Sequence, residues 1–159
     1  MISIEKYTED KYQDVVALSV KPEQVIFTVG SMADVIAYLE SHEHPHLIVA
    51  SGQVAGFFIL DIKYAEHYDF CHEKALGIRA LMIDQKFQRQ KIAKQALLNF
   101  PAYAQEFYPR YDDFYLTVNC RNKPAYQCYI NSVFTDTGEL YTGGPAGPQH
   151  IMMRHIRVQ

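Results

Sequence analysis

The chain has 159 residues, 48% of them hydrophobic, and a formal net charge of −3 with neutral histidines. That length fits one domain and the composition is globular. No overall basic field points to nucleic acid, and no apolar run approaches the roughly 20 residues that a membrane helix needs.

In chain order, Ile2 to Lys6 alternates weakly and reads as a first strand, within a start too polar and acidic for a signal peptide. Asp10 to Leu18 is a short helical pattern, and Pro22 interrupts it. Ser31 reads as the N-cap of a second helix with Val35, Ile36 and Leu39 on one side. The period then changes. His46 to Ala50 and Val54 to Ile62 are runs of strand formers around Ser51-Gly52-Gln53, a hairpin signal. Ala75 to Asp84 is a further strand, and Gln90 to about Phe107 is a helix. Asp113 to Asn119 alternates Phe114, Leu116 and Val118 as a strand. Asn122 to Ser132 is helical, with strand patterns at Val133 to Tyr141 and Gln149 to Val158. This order predicts a mixed α/β domain with one sheet and no linker. Cys71, Cys120 and Cys128 form no CxxC pair, and an odd count without a secretory signal fits reduced thiols in a cytoplasm.

The helix after the Ala75 to Asp84 strand has its charges reversed. A helix start carries bare N–H groups and partial positive charge, so acids are favoured there. Here Lys86, Arg89, Lys91 and Lys94 surround the start, and Glu106 lies near the end. Gln88-Arg89-Gln90 supplies no Ser, Thr, Asp or Asn cap. Bare N–H groups beside cations make an anion site. The predicted inward face is Ala93, Leu97, Phe100, Ala104 and Phe107, and Pro101 is expected to kink the helix.

Leu81-Met82-Ile83-Asp84 followed by Gln88-Arg89-Gln90-Lys91-Ile92-Ala93 resembles the acetyl-CoA signature of the GNAT N-acetyltransferases. That family follows a strand with Gln or Arg, two residues, Gly, one residue, and Gly or Ala. Gln88 and Ala93 match, whereas Lys91 stands in place of the first Gly. Downstream, VNCRNKPAYQCYINSVF is similar to the family's second motif: Asn122, Ala125, Tyr129 and Phe134 fall in register, and Val133 replaces a Gly.

The resemblance implies a central, largely antiparallel sheet with helices on both faces. It implies acetyl-CoA bound by Leu81, Met82, Ile83, the turn Gln88, Arg89, Gln90, Lys91, Ile92, Ala93 and Lys94, and Asn122. It places Tyr129 beside the thioester sulfur as general acid, a role suited to a phenol of ordinary pKa about 10. Backbone N–H groups of strand 79–83 are the candidate donors to the acyl oxygen. LSVKPEQVIF and VAGFFIL are similar to members that acetylate polyamines, which makes Gln24 and Phe27 acceptor-side candidates. The implied partner is a small-molecule amine, with neither metal, membrane nor nucleic acid, and a homodimer is compatible. Acetylation of a peptide or protein amine, or of an amino acid, stays open. A non-catalytic acyl-CoA-binding module is the competing reading, motivated by Lys91 and Val133; a phosphate or nucleic-acid binder using the same basic turn is the third.

SHEHPH puts His42, His44 and His46 at alternating positions, but Pro45 and the spacing exclude the helical HExxH site. An exposed polar turn is expected there. Cys120 and Cys128 are read as small core residues, and YTGGPAGPQHIM as a connecting loop.

Overall fold

The computed structural model describes residues 1–27 and 31–157, with the side chains of Ile26 and Phe27 outside that description. Seven strands form one sheet in the order β1-β2-β3-β4-β5-β7-β6. They are β1 (Ile2–Lys6), β2 (Glu43–Ala50), β3 (Gln53–Asp61), β4 (Ala75–Ile83), β5 (Asp113–Asn119), β6 (Thr135–Tyr141) and β7 (Gln149–His155). Every pairing is antiparallel except that of β4 with β5. The helices are α1 (Tyr12–Val16), α2 (Met32–Ala37), α3 (Tyr64–His67), α4 (Ile92–Phe107) and α5 (Lys123–Asn131). No helix among the described residues is long and apolar enough to cross a membrane.

Local chemistry accounts for several boundaries. Ser51 and Gly52 both have positive φ, 49° and 81°, which gives β2 and β3 the two-residue turn whose twist suits a hairpin. Ser31 caps α2, accepting the Asp34 N–H at 3.2 Å. The two faces of the sheet bury separate cores. Val15, Leu18 and Met32 close over Leu47, Phe57 and Ile59 on one face. On the other, α4 presses Ile92, Ala96, Leu97, Phe100 and Ala104 against Phe58, Leu76, Phe114 and Leu116.

Two expectations about α4 change. The inward stripe of α4 is Ile92, Ala96, Leu97, Phe100, Pro101 and Ala104. Phe107, in the last turn, is instead 48% exposed beneath the Lys6 ammonium, 5.5 Å from its ring centre. The helix starts at Ile92 rather than Gln90, because Lys91 has left-handed backbone angles. It runs continuously through Pro101, and the Leu97 carbonyl that loses its helical donor accepts from Arg154 Nη1 at 3.4 Å.

SHEHPH is not an exposed turn. From Glu43 onward it is strand, paired with both β1 and β3, and that pairing draws His46 to 1% exposure. His46 stacks on Phe58 at 5.0 Å, and burial pushes its imidazole down to about 4. His44 meets the Tyr108 hydroxyl at 2.8 Å. Glu40, His42 and Glu43 gather possible ligand atoms within 4.8 Å of one another. There His42 is already paired with Glu40 and with buried Asp61, at 2.7 and 2.9 Å.

Candidate active site

The site begins where the central strands separate. Ala75, Leu76 and Gly77 of β4 pair with Asp113, Phe114 and Tyr115 of β5, and the pairing stops there. The register of β4 against β3 shifts between Phe57 and Ile59, with Ala80 at a φ of 55°, so one extra residue bends β4 at that point. Burial follows the geometry: the first four residues of β4 are buried and the last five only half-buried. Met82 and Ile83 therefore keep β3 on one edge, and among the described residues no strand pairs with Leu81, Met82 or Ile83 on the other. Unpaired backbone groups along a cleft can receive a ligand's polar atoms.

The turn from β4 to α4 closes one end of this opening. Asp84 is 1% exposed and accepts from Lys86 N at 3.1 Å and Ser19 N at 2.8 Å, which fixes the turn and ties it to the loop after α1. Gln88 and Gln24 exchange two amide hydrogen bonds, at 3.0 and 3.2 Å, and Gln88 Nε2 also donates to the Ile83 carbonyl at 3.0 Å. Arg89 and Lys91 both have positive φ, 65° and 59°. A residue with a Cβ is rarely found there, and the conformation costs about 1–2 kcal/mol. No side chain caps α4, and its first turn holds no acid. The bare N–H groups at Ile92 to Lys94 thus face a turn carrying the exposed Arg89 and Lys91.

The other side of the opening is α5. Asn122 caps it, its side chain accepting the Ala125 N–H at 3.4 Å, and Pro124 sits in the first turn, where it displaces no helical bond. The helix ends in a Schellman motif. Phe134 N donates to the Tyr129 carbonyl at 3.0 Å, and Val133 N to the Ile130 carbonyl at 3.3 Å. This motif packs the residue after the left-handed one against the last full turn, and Phe134 meets Tyr129 edge-on at 5.8 Å. The spacing from Tyr129 to Phe134 is thus a positioning device for the tyrosine ring. Its left-handed position is Val133, φ 71°, a β-branched residue where glycine is preferred. Among the described residues nothing hydrogen-bonds the Tyr129 hydroxyl, and burial raises its pKa above the ordinary value.

The cofactor-side candidates therefore converge at the end of β4, the turn and the start of α4, while Asn122 and Tyr129 share α5. Gln24 lies beside Gln88 and its amide is committed to it; the Phe27 side chain lies outside the described residues. The free thiols of Cys120 and Cys128 are half-buried, the latter against the α4 core. The pairing of Arg79 with Asp61 was not legible in the sequence. Their ion pair, at 2.9 Å, spans two strands and leaves no periodic or motif signal.

Residues 12–131 match the model of the acetyltransferase (GNAT) family. The uncharacterized N-acetyltransferase YbbJ of Bacillus subtilis (strain 168) is 30% identical over 110 residues, covering 69% of this chain and 68% of that protein. Among solved structures, AAC(6')-Ib in complex with paromomycin and acetyl-CoA aligns with a TM-score of 0.79 at 17% identity, over 97% of this chain and 93% of that one. Spermidine N-acetyltransferase from Vibrio cholerae, in complex with CoA and spermine, aligns with a TM-score of 0.71 at 13% identity, over 97% and 95%. At such identities the structural likeness is one of fold.

Proposed function

This chain belongs to the GNAT acetyltransferase family, and on that premise we propose that it transfers acetyl from acetyl-CoA to the primary amine of a small molecule, by direct attack in a ternary complex. The observation that supports the reading is an uncapped helix start among cations directly after β4, with α5 close by: Tyr129 packs against the α4 core, and among the described residues its hydroxyl has no hydrogen-bond partner. The residues fit the cofactor. The N–H groups of Ile92, Ala93 and Lys94 bind its pyrophosphate, with Arg89 and Lys91 adding charge. Gln88 holds the turn in shape through Gln24 and the Ile83 carbonyl rather than touching the phosphates.

Acetyl-CoA supplies an activated acyl group and a thiol leaving group. Unpaired backbone N–H groups along Leu81–Ile83 bind the acyl oxygen as negative charge develops on it. Burial keeps the Tyr129 phenol protonated through the neutral range, so it holds a proton available to the departing sulfur. Asn122 acts through the helix, by capping the turn that sets the direction of α5. The left-handed backbone at Lys91 and Val133 supports the family reading at both positions, because that region is the one glycine favours. The unpaired cysteines support a cytoplasmic setting.

The test is thiol release from acetyl-CoA across an amine panel that includes polyamines and aminoglycosides. Acceptor-dependent release supports transfer; coenzyme A binding with no release under any acceptor supports the module. Tyr129→Phe is expected to lower turnover by about 100-fold or more with coenzyme A affinity retained. Turnover and pH profile equal to wild type would remove Tyr129 as the acid.

A further inference from the structure

We propose that the acceptor amine carries a carboxylate and that Arg79 is the residue that recognises it. The inference rests on the acetyl-transfer reading above. In that reading α4 and α5 close one face of the β4–β5 opening and hold the cofactor machinery, so the acceptor approaches from the opposite face. Leu76 and Ile78 of β4 point into the α4 side. Gly77 and Arg79 therefore point the other way. Gly77 lies against Tyr64 on that face, where an added Cβ would stand 2.1 Å from the ring. Arg79 is two residues beyond Gly77, the last residue of β4 paired with β5, at the threshold of the opening.

The side chain of Arg79 is held in place before any ligand arrives. Its Nε donates to Asp61 Oδ2 at 2.9 Å. Asp61 is wholly buried, and its other oxygen accepts from Lys63 N and meets His42 Nδ1, both at 2.9 Å. The guanidinium carbon stands 5.3 Å from the ring centre of Tyr64 and 5.2 Å from that of Tyr68, within cation–π range of both. The side chain is 31% exposed, and among the described residues nothing accepts from its two terminal nitrogens. A planar cation anchored through Nε, with its terminal donors open, suits a carboxylate.

The surroundings agree. Tyr68, Phe70, Tyr115 and Tyr141 form a half-buried aromatic cluster beside Arg79, with Tyr68 and Tyr141 rings 5.3 Å apart. Such a wall receives the apolar part of an acceptor. The buried carboxylates flanking β4 are already committed, Asp61 as described, Asp84 to two backbone N–H groups, and Asp113 to His72 and His155. None of the three is left to hold a second ammonium.

Thiol release is measured with free amino acids, with tripeptides bearing a free C-terminus, with the amidated form of each, and with spermidine. In wild type, kcat/KM for at least one carboxylate acceptor should exceed that of its amide by about 10- to 100-fold. A preference confined to amino acids or to tripeptides identifies which source of the carboxylate is used. R79Q should erase the preference, bringing carboxylate and amide rates within about twofold of one another, and R79K, which keeps the charge but not the planar fork, should fall between. If R79Q does not fold, the wild-type comparison and R79K decide. The inference is overturned if amides or spermidine match the carboxylates in wild type, or if R79Q slows both kinds by the same factor. That second outcome would leave Arg79 as a clamp on Asp61. If no acceptor releases thiol, the acetyl-transfer reading itself fails and this inference falls with it.

Discussion

Lys91 offers a way to separate backbone strain from charge at the turn between β4 and α4. Its φ of 59° is left-handed, its side chain is exposed, and it caps α4 without a side-chain bond. Holding a residue with a Cβ there costs about 1–2 kcal/mol. Glycine avoids that cost but loses about 0.5–1 kcal/mol through the greater freedom of its unfolded chain. Lys91→Gly should therefore gain about 0.5–1 kcal/mol, while Lys91→Ala keeps the Cβ and the strain. For a domain of 159 residues that gain raises Tm by about 1–4 °C in a thermal melt. Both variants lose the ammonium. If it attracts the pyrophosphate, an interaction of about 0.3–1 kcal/mol at an exposed helix start, coenzyme A should bind about 2- to 5-fold more weakly to either in calorimetric titration. Equal stability of the Gly and Ala variants would refute the strain argument. Tighter binding by both would show that the lysine obstructs the turn instead of gripping the cofactor.

Val133→Gly should raise stability by about 0.5–1 kcal/mol in denaturant titration, since the side chain is 60% exposed at a φ of 71° and packs little; a loss of stability would mean its packing outweighs its strain. Gly77→Ala places a Cβ 2.1 Å from the buried Tyr64 ring, and overpacking of this kind should cost about 3 kcal/mol, read as a fall of about 6–12 °C in Tm. An unchanged melt would show that Tyr64 moves freely. His46 is held near pKa 4 in the fold against about 6.5 unfolded, so between those values the unfolded chain binds the extra proton and stability falls as pH falls. His46→Phe should flatten that loss, which amounts to about 3–3.5 kcal/mol at most across the window. Comparing the two proteins at each pH isolates His46 from His42, whose pKa is raised chiefly by its hydrogen bond to Asp61 and whose contribution is lost as pH rises. Parallel pH profiles would count against the burial argument.

What the sequence determined was written within a few residues of each position. Alternation fixed β1 and β5 to the residue. Ser31 announced its helix because a cap bonds to an N–H three residues away. The spacing from Asn122 to Phe134 carried the tyrosine and the turn that seats it, again because a Schellman motif is local. Tertiary structure decided what depends on distant pairing. Two neighbours hydrogen-bonding in the sheet turned SHEHPH from a presumed surface turn into a strand with a buried imidazole. Gln24 meets Gln88 across 64 positions, a pairing that no local pattern signals. Arg79 finds Asp61 across 18 positions, and the β4–β5 opening exists only because two strands part after three paired residues. Periodicity and caps are properties of a segment, whereas an ion pair between strands and a gap in a sheet are properties of register. At Lys91 and Val133 the fold overrode local preference, holding side chains in the left-handed region that glycine favours.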